Sequence, residues 1–306
     1  MKSSTEGSSS QSSLPQKVSL KSERDVQMRR AAFHASASVV SITSYSGEEQ
    51  KHHVSGTVIQ SKFVDNVFKG TVLTSATLIR DDPGANTIMK DLKIRVRLWN
   101  RSLVHGSLLT FDLHYNVAII EIQVHDELRV TNFRLLDDSY DLDDNMNLPE
   151  KKKRSFEFDV YGKPQKISAG DTVFILGRFH KQPFHTLISS GEFSLHPCYY
   201  DCKELFKING KIKKCGIGGP VVNLRGEVLG LAHCNEYFIP FLPSNVICRL
   251  LDYYESKGQF RHPWIGMEVL NLHHSNLDGE WVEVFRGRRK SIVIEKVYAC
   301  SFCFVK

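Results

Sequence analysis

The sequence has 306 residues, of which 41% are hydrophobic and 24% are charged, a composition typical of a globular protein with one large domain or two small ones. No apolar stretch approaches the roughly 18 residues that a membrane-spanning helix requires, so we predict no membrane span. The net charge of +6 is mild for this length. Nucleic-acid binding would need basic residues gathered on one face, which a sequence alone does not show, and with so mild a charge we expect no nucleic-acid partner.

Residues 1–28 are rich in serine, and we predict that they form a disordered tail. They lack the apolar core of a secretory signal. Their acidic residues and the lack of early arginine disfavour an organelle transit peptide, although import into an organelle stays open. The chain has seven cysteines. An odd number without a secretory signal predicts a reducing compartment, the cytoplasm or the nucleus.

Residues 29–134 contain short segments that alternate between apolar and polar residues or are continuously apolar. They follow one another at intervals of about 8–15 residues, which predicts antiparallel strands of a sandwich or barrel rather than β-α-β units. The segments are SVVSITSY (38–45), HVSGTVIQ (53–60), KGTVLTSATLI (69–79), KIRVRLWN (93–100), LVHGSLLTFD (103–112) and VAIIEIQV (117–124).

A charged segment at residues 135–154 interrupts this pattern. We interpret it as a solvated linker or long loop. Its KKKR sequence at 151–154 is also compatible with a nuclear localisation signal.

Residues 155–261 contain a second set of β segments and end in a predicted helix over 243–260, where apolar residues recur at helical spacing. Ser244 or Asn245 can cap the start of this helix, and Gly258 suits the position after its end. The sequence therefore predicts two β domains of similar size and a closing helix.

Four motif-bearing segments occur in the same order and spacing as in one known family. They are ASVVSITSYSG with HHVSGTVIQ, GTVLTSATLI, FDLHYNVAIIEI, and INGKIKKCGIGGPVVNLRGEVLGL. Over roughly residues 35–250 the chain thereby resembles the HtrA/Deg (protease Do-like) family of trypsin-like serine proteases, especially its plant members. The resemblance implies an all-β fold of two six-stranded barrels followed by a helix, and it implies serine endopeptidase descent.

The resemblance places the catalytic histidine, aspartate and serine of the family on Thr77, Asn116 and Ile217. Acyl transfer needs a nucleophile, a base that takes its proton and an acidic group that orients the base. Ile217 has no lone pair, Thr77 cannot accept a proton near neutral pH, and Asn116 carries no charge. We therefore predict that no catalytic residue of the triad is intact.

The loop around the nucleophile position is predicted to be a degenerate oxyanion hole. Cys215 stands where the family has a glycine whose amide helps to form this hole, and a side chain at a glycine position often demands other backbone angles. We expect the retained glycines to shape the loop for packing and Ile217 to fill the space of the missing polar residues. The loop consists of Cys215, Gly216, Ile217, Gly218 and Gly219.

A relocated Cys–His pair is an alternative catalytic arrangement. Cys215 is close in sequence to Lys213 and Lys214, and neighbouring cations lower the pKa of a thiol. Such a thiol would still need a base, and histidines are more often surface or satisfied core residues. The candidate bases are His53, His105, His114 and His233.

Two cysteine pairs have short spacings, Cys198 with Cys202 and Cys300 with Cys303. A zinc site would need two well-paired sets of ligands, and each pair stands alone. We interpret the cysteines as free structural thiols and predict neither a metal nor another cofactor.

Residues 262–306 resemble the start of the PDZ domain that follows the protease in this family, on the segments HPWIGMEV and SIVIEKVYACS. The helix and later strands that complete a peptide-binding groove do not follow before Lys306. We therefore predict an incomplete PDZ-like segment.

Three functional interpretations follow. The favoured one is a catalytically inactive homologue that binds a peptide, a protein partner or subunits of homologous proteases. The second is an active peptidase, either a serine endopeptidase by descent or one with a relocated Cys/His pair. The third is a product of gene decay without a selected role.

Overall fold

The computed structural model describes residues 15–82, 86–136, 167–194 and 204–260, the single residues 196, 198, 200 and 202, and the segments 267–271 and 292–297. From position 137 onward, the predicted linker lies outside the described residues. The chain forms two compact units, Met1–Phe260 and Arg261–Lys306.

Six antiparallel strands close into a first barrel. Their alternating apolar side chains point inward, because successive side chains of a strand face opposite sides. The strands are β1 (Val39–Ser46), β2 (Glu49–Val64), β3 (Val67–Ser75), β4 (Leu92–Arg97), β5 (Leu103–Asp112) and β6 (Val117–Val124). Their order around the barrel is β1-β2-β3-β6-β5-β4, and they correspond to the six segments predicted from sequence.

A second closed barrel has the same strand order as the first. Read from its first strand, the order is β7-β8-β9-β12-β11-β10, with β7 (Thr172–Arg178), β8 (Thr186–Ser194), β9 (Phe206–Asn209), β10 (Pro220–Val222), β11 (Val228–Ala232) and β12 (Ile239–Pro243). The predicted all-β fold of two six-stranded barrels is confirmed.

A helix, α1 (Pro15–Ser36), precedes the first barrel. The boundary predicted at residue 28 lies inside this helix, and residues 15–28 are helical rather than part of a structureless tail. Much of the sequence from residue 23 onward consists of strong helix formers. Ala31, Ala32 and Ala35 are buried in the apolar contact between the barrels, which stabilises this helix through tertiary packing.

The predicted closing helix is observed as α2 (Ser244–Lys257). It ends at Gly258, whose φ of 73° suits a residue without a side chain. The predicted N-cap position is wrong, since Pro243 occupies it, but the Asn245 side chain does accept the Val246 N–H at 3.0 Å. The Ser244 hydroxyl instead donates to the carbonyl of Arg134 at 2.7 Å.

Among its described residues, the first unit has three apolar clusters. One fills the first barrel and a second fills the other barrel. The third lies between them and joins side chains of both barrels with α1 and α2, including Leu73, Phe133, Phe174, Leu176, Leu231, Ile247 and Leu251.

The second unit contains an antiparallel pair of strands, β13 (Met267–Asn271) and β14 (Ile292–Val297). Its PDZ-like character stays a prediction. Across the described part of the chain, no helix has the length and apolar character needed to span a membrane.

Candidate functional site

The fold brings two of the three predicted catalytic positions into contact. Thr77 lies in a short 3-10 helix directly after β3, and Asn116 directly precedes β6. The amide nitrogen Nδ2 of Asn116 donates to Oγ1 of Thr77 at 3.2 Å. The resemblance thus pairs positions that are neighbours in space, although neither residue can act as a base or carry charge.

A buried histidine extends this polar contact. Nδ1 of His233 lies 3.5 Å from Nδ2 of Asn116, and only 6% of His233 is exposed. Burial lowers the pKa of His233 to about 4, an effect that the Tyr115 backbone partly offsets. At neutral pH, His233 is therefore an uncharged core histidine.

The backbone at Asn116 explains part of its identity. Its φ of 51° lies in the left-handed region, where asparagine and aspartate are enriched among residues other than glycine. Its carbonyl accepts the Ala76 N–H at 3.1 Å. Asn116 therefore suits a structural turn whether or not any chemistry occurs there.

Ile217 is a core residue of the first barrel, although its loop belongs to the second. Only 7% of it is exposed. It packs in the cluster that contains Ala76, which precedes Thr77, and Ala118, which lies two residues after Asn116. A residue at the nucleophile position must reach a substrate in solvent. The burial of Ile217 is the arrangement that a filled cleft requires.

Two backbone N–H groups of the loop donate to backbone carbonyls close by in the sequence, whereas an oxyanion would need free donors. Residues Lys214–Gly216 form one turn of 3-10 helix. The Ile217 N–H donates to the Lys214 carbonyl at 3.2 Å, and the Gly216 N–H donates to the Lys213 carbonyl at 2.8 Å. An oxyanion hole needs free N–H groups aimed at the developing charge, and the Ile217 amide is already engaged.

The same loop holds the two barrels together. The Ser55 N–H in β2 donates to the Ile217 carbonyl at 2.8 Å, and the Ser55 hydroxyl donates to the Cys215 carbonyl. The Gly218 N–H donates to the Ala232 carbonyl in β11 at 2.9 Å. Gly218 has a φ of 74°, and a side chain there would also meet the Ser55 carbonyl. These contacts give the loop a scaffolding role that needs no nucleophile.

The relocated Cys–His arrangement gains no geometric support. Cys215 is buried, and burial raises the pKa of its thiol, with Lys213 opposing the shift only in part. Among the described side chains, no histidine forms a hydrogen bond with this thiol. A nucleophilic cysteine needs the opposite conditions, a lowered pKa and a nearby base.

The other candidate bases lie in three different places. His105 is exposed on β5, and His114 is exposed in the turn after β5. His53 of β2 packs against His180, which follows β7, with ring centroids 4.0 Å apart and the ring planes tilted by 43°. Burial first, and then the charge of His180, lower the pKa of His53 to about 4.

The two low histidine pKa values predict acid sensitivity. A histidine whose pKa is lower in the folded than in the unfolded state does not reduce the free energy of unfolding above its unfolded pKa, about 6.5, because it is uncharged in both states there. Stability is then lost as the pH falls towards the folded pKa of about 4. As the pH falls across this window, the lowered pKa of His53 and that of His233 should each reduce the free energy of unfolding by roughly 2–3 kcal/mol.

Urea titrations between pH 7 and pH 4 would measure this effect. In the double variant His53→Gln and His233→Gln, the free energy of unfolding should depend less on pH than in the wild type. The control is His125→Gln, at an exposed position, which should keep the pH dependence of the wild type. Equal slopes for the wild type and the double variant would contradict the assignment of the acid sensitivity to these residues.

The burial of Ile217 predicts a measurable cost for restoring the hydroxyl at that position. Ile217→Ser places a polar group in an apolar cluster and removes methyl contacts, so it should lower the free energy of unfolding by about 1–3 kcal/mol. The control is Ile188→Ser, because Ile188 is 39% exposed on β8. A thermal melt in which both variants match the wild type would show that Ile217 is not a packed residue.

Two closed barrels of identical strand order, with a glycine-rich loop of the second seated against the first, define the fold class of trypsin-like peptidases. Residues 54–231 match the Trypsin-like peptidase domain family, which is more than half of the chain. The chain therefore belongs to the trypsin-like peptidase family.

Individual proteins that are similar to this chain carry DegP-like and Deg names. The chain is 26% identical over 131 residues to the probable periplasmic serine endoproteases DegP-like of Brucella suis biovar 1 (strain 1330) and Brucella abortus (strain 2308), covering 38% of this chain and 24% of each relative. It thus spans about a quarter of the length of these relatives. The crystal structure of Deg5 has the same fold, with a TM-score of 0.53 and 17% identity, covering 78% of this chain and 97% of that one. The DegP-like matches support the predicted HtrA/Deg resemblance, and the Deg5 match shows a shared fold.

Proposed function

We propose that this protein is a catalytically inactive member of the HtrA/Deg family that acts by binding a polypeptide. The observation that carries the proposal is the burial of Ile217. This apolar residue stands at the predicted nucleophile position, is 7% exposed and packs in the first barrel. A side chain without a lone pair cannot attack a carbonyl carbon.

The surroundings of Ile217 favour inactivity as well. Thr77 and Asn116 hydrogen-bond each other and supply neither a base nor a negative charge. The Ile217 N–H is engaged with the Lys214 carbonyl. Nucleophile, base and oxyanion donor are therefore lost together, and restoring one of them would not restore the reaction.

The segment between β11 and β12 is the best candidate for the binding surface. It begins with His233, whose Nδ1 lies 3.5 Å from Nδ2 of Asn116, and it carries the exposed Cys234. Tyr237 in the same segment is 82% exposed. Exposed aromatic residues are frequent anchors of protein interfaces because they bury a large area at low entropic cost.

Fluorescence anisotropy with labelled, unfolded casein tests the proposal. We expect saturable binding without the appearance of casein fragments, and Tyr237→Ala should weaken it about tenfold. Tyr253→Ala is the matched control, since Tyr253 is a tyrosine that is 37% exposed on a different element, α2. Absence of binding, or equal effects of the two variants, would count against a polypeptide site at this position.

A further inference from the structure

Three metal-ligating side chains from the two barrels meet outside the former catalytic positions. His114 lies in the turn between β5 and β6, and Cys202 and Glu204 lie between β8 and β9. One ligand atom from each, an imidazole nitrogen, Sγ and a carboxylate oxygen, lies within 4.8 Å of the other two. We propose that these three residues form a binding site for Zn²⁺ that joins the two barrels, an inference independent of the proposed function.

The chemistry of the three ligands favours zinc over the other common divalent cations. A thiolate and an imidazole are typical zinc ligands, whereas magnesium and calcium prefer oxygen alone. A thiolate and a carboxylate together balance the charge of Zn²⁺. Three protein ligands leave a fourth coordination position for water or another small ligand.

The distances are close to those of a zinc centre. Around a tetrahedral zinc ion, with bonds of about 2.0–2.3 Å, ligand atoms lie roughly 3.3–3.7 Å apart. Sγ of Cys202 already lies 3.5 Å from Oε2 of Glu204. His114 is exposed, and rotation of its side chain can supply the remaining contraction of about 1 Å or more.

Cys202 lies between an apolar cluster and a carboxylate. Cys202 is 5% exposed and packs in the apolar cluster between the barrels. The Glu204 carboxylate lies beside this thiol, with Oε2 3.5 Å from Sγ. A cation bound there balances the charge of the carboxylate, and its binding displaces the thiol proton.

Tyr115 has the position of a residue that orients a metal ligand. Its hydroxyl donates to Oε1 of Glu204 at 3.2 Å, which leaves Oε2 beside Cys202. Hydrogen bonds of this kind fix metal-ligating carboxylates, and their loss typically weakens metal binding about 10–100-fold. The backbone N–H of Tyr115 donates to Asp112 at 2.8 Å, which holds the turn that carries His114.

Titration of the metal-free full chain with Co²⁺ tests the site, because a thiolate–cobalt bond gives a near-ultraviolet charge-transfer band. We expect one Co²⁺ per chain, displaced by Zn²⁺. Cys202→Ser should abolish the band, and His114→Gln should weaken binding at least tenfold. Tyr115→Phe should weaken it about tenfold while the band is retained.

Two other cysteines serve as controls. Cys198→Ser and Cys234→Ser, a buried and an exposed free thiol, should leave the band and the affinity unchanged. A wild-type protein without a charge-transfer band at millimolar Co²⁺, or a band that survives Cys202→Ser, would overturn the proposal. If Cys202→Ser does not fold, His114→Gln decides, since unchanged affinity at this exposed position would also overturn it.

Discussion

The triple variant Thr77→His, Asn116→Asp and Ile217→Ser is expected to cleave casein roughly 10²–10³-fold more slowly than an active HtrA/Deg protease, although all three residue types of the triad are restored. The first reason is the loop backbone, in which the amide at position 217 donates to the Lys214 carbonyl. Removing one oxyanion-hole donor costs a factor of this size.

The second reason is His233. The aspartate introduced at position 116 would lie beside the buried imidazole that Asn116 contacts at 3.5 Å. A carboxylate so close to a buried histidine raises the pKa of the imidazole and pairs with it. The new aspartate could therefore pair with His233 instead of with the histidine introduced at position 77. This competition weakens the orientation of the intended base.

Initial rates of casein cleavage with purified variants measure this prediction. Adding Cys215→Gly to the triple variant should raise the rate, because it removes the side chain from a position where the family has glycine. A triple variant as active as the protease used for comparison would show that the loop is competent as it stands.

Gly219→Ala is expected to lower the free energy of unfolding by more than about 4 kcal/mol, the largest effect that we predict for a single substitution. A β-carbon at this position would overlap the backbone carbonyl oxygen of Leu176 in β7. The backbone of β7 is paired on both sides in the closed barrel, so it cannot move aside as a flexible side chain can. The overlap would therefore push the loop away from β7.

Gly47→Ala is the matched control. Gly47 has a φ of 61°, but a β-carbon there would meet no atom within 4 Å. Its substitution should cost only about 1–2 kcal/mol, from the left-handed backbone alone. Urea unfolding of both variants compares the two costs, and equal losses of stability would show that the contact of Gly219 with β7 is not decisive.

The barrels could be predicted from sequence because their signal is local. Alternating burial in β4 and continuous burial in β11 both appear directly in the residue pattern. The end of α2 at Gly258 is similarly local. The helical character of residues 15–28 was missed because it depends partly on packing: Ala31 and Ala32 are buried only where both barrels meet.

The site could be predicted only in part, because its contacts join distant segments. Cys215 gave reason to expect a disturbed oxyanion loop, but the bond between the Ile217 N–H and the Lys214 carbonyl depends on the 3-10 turn. The contact of His233 with Asn116 and the grouping of His114 with Cys202 arise from the arrangement of the barrels. No spacing along the sequence indicates such pairs.

Treatment of the pure protein with an active-site-directed fluorophosphonate, followed by mass spectrometry and a parallel casein digestion, tests the central claim most directly. Without a serine at position 217 and with a buried isoleucine there, the account predicts no labelled residue and no casein fragments beyond those of a protein-free control. Cleavage of casein that Cys215→Ala or His233→Gln abolishes would contradict it, because an active site would then exist at other residues.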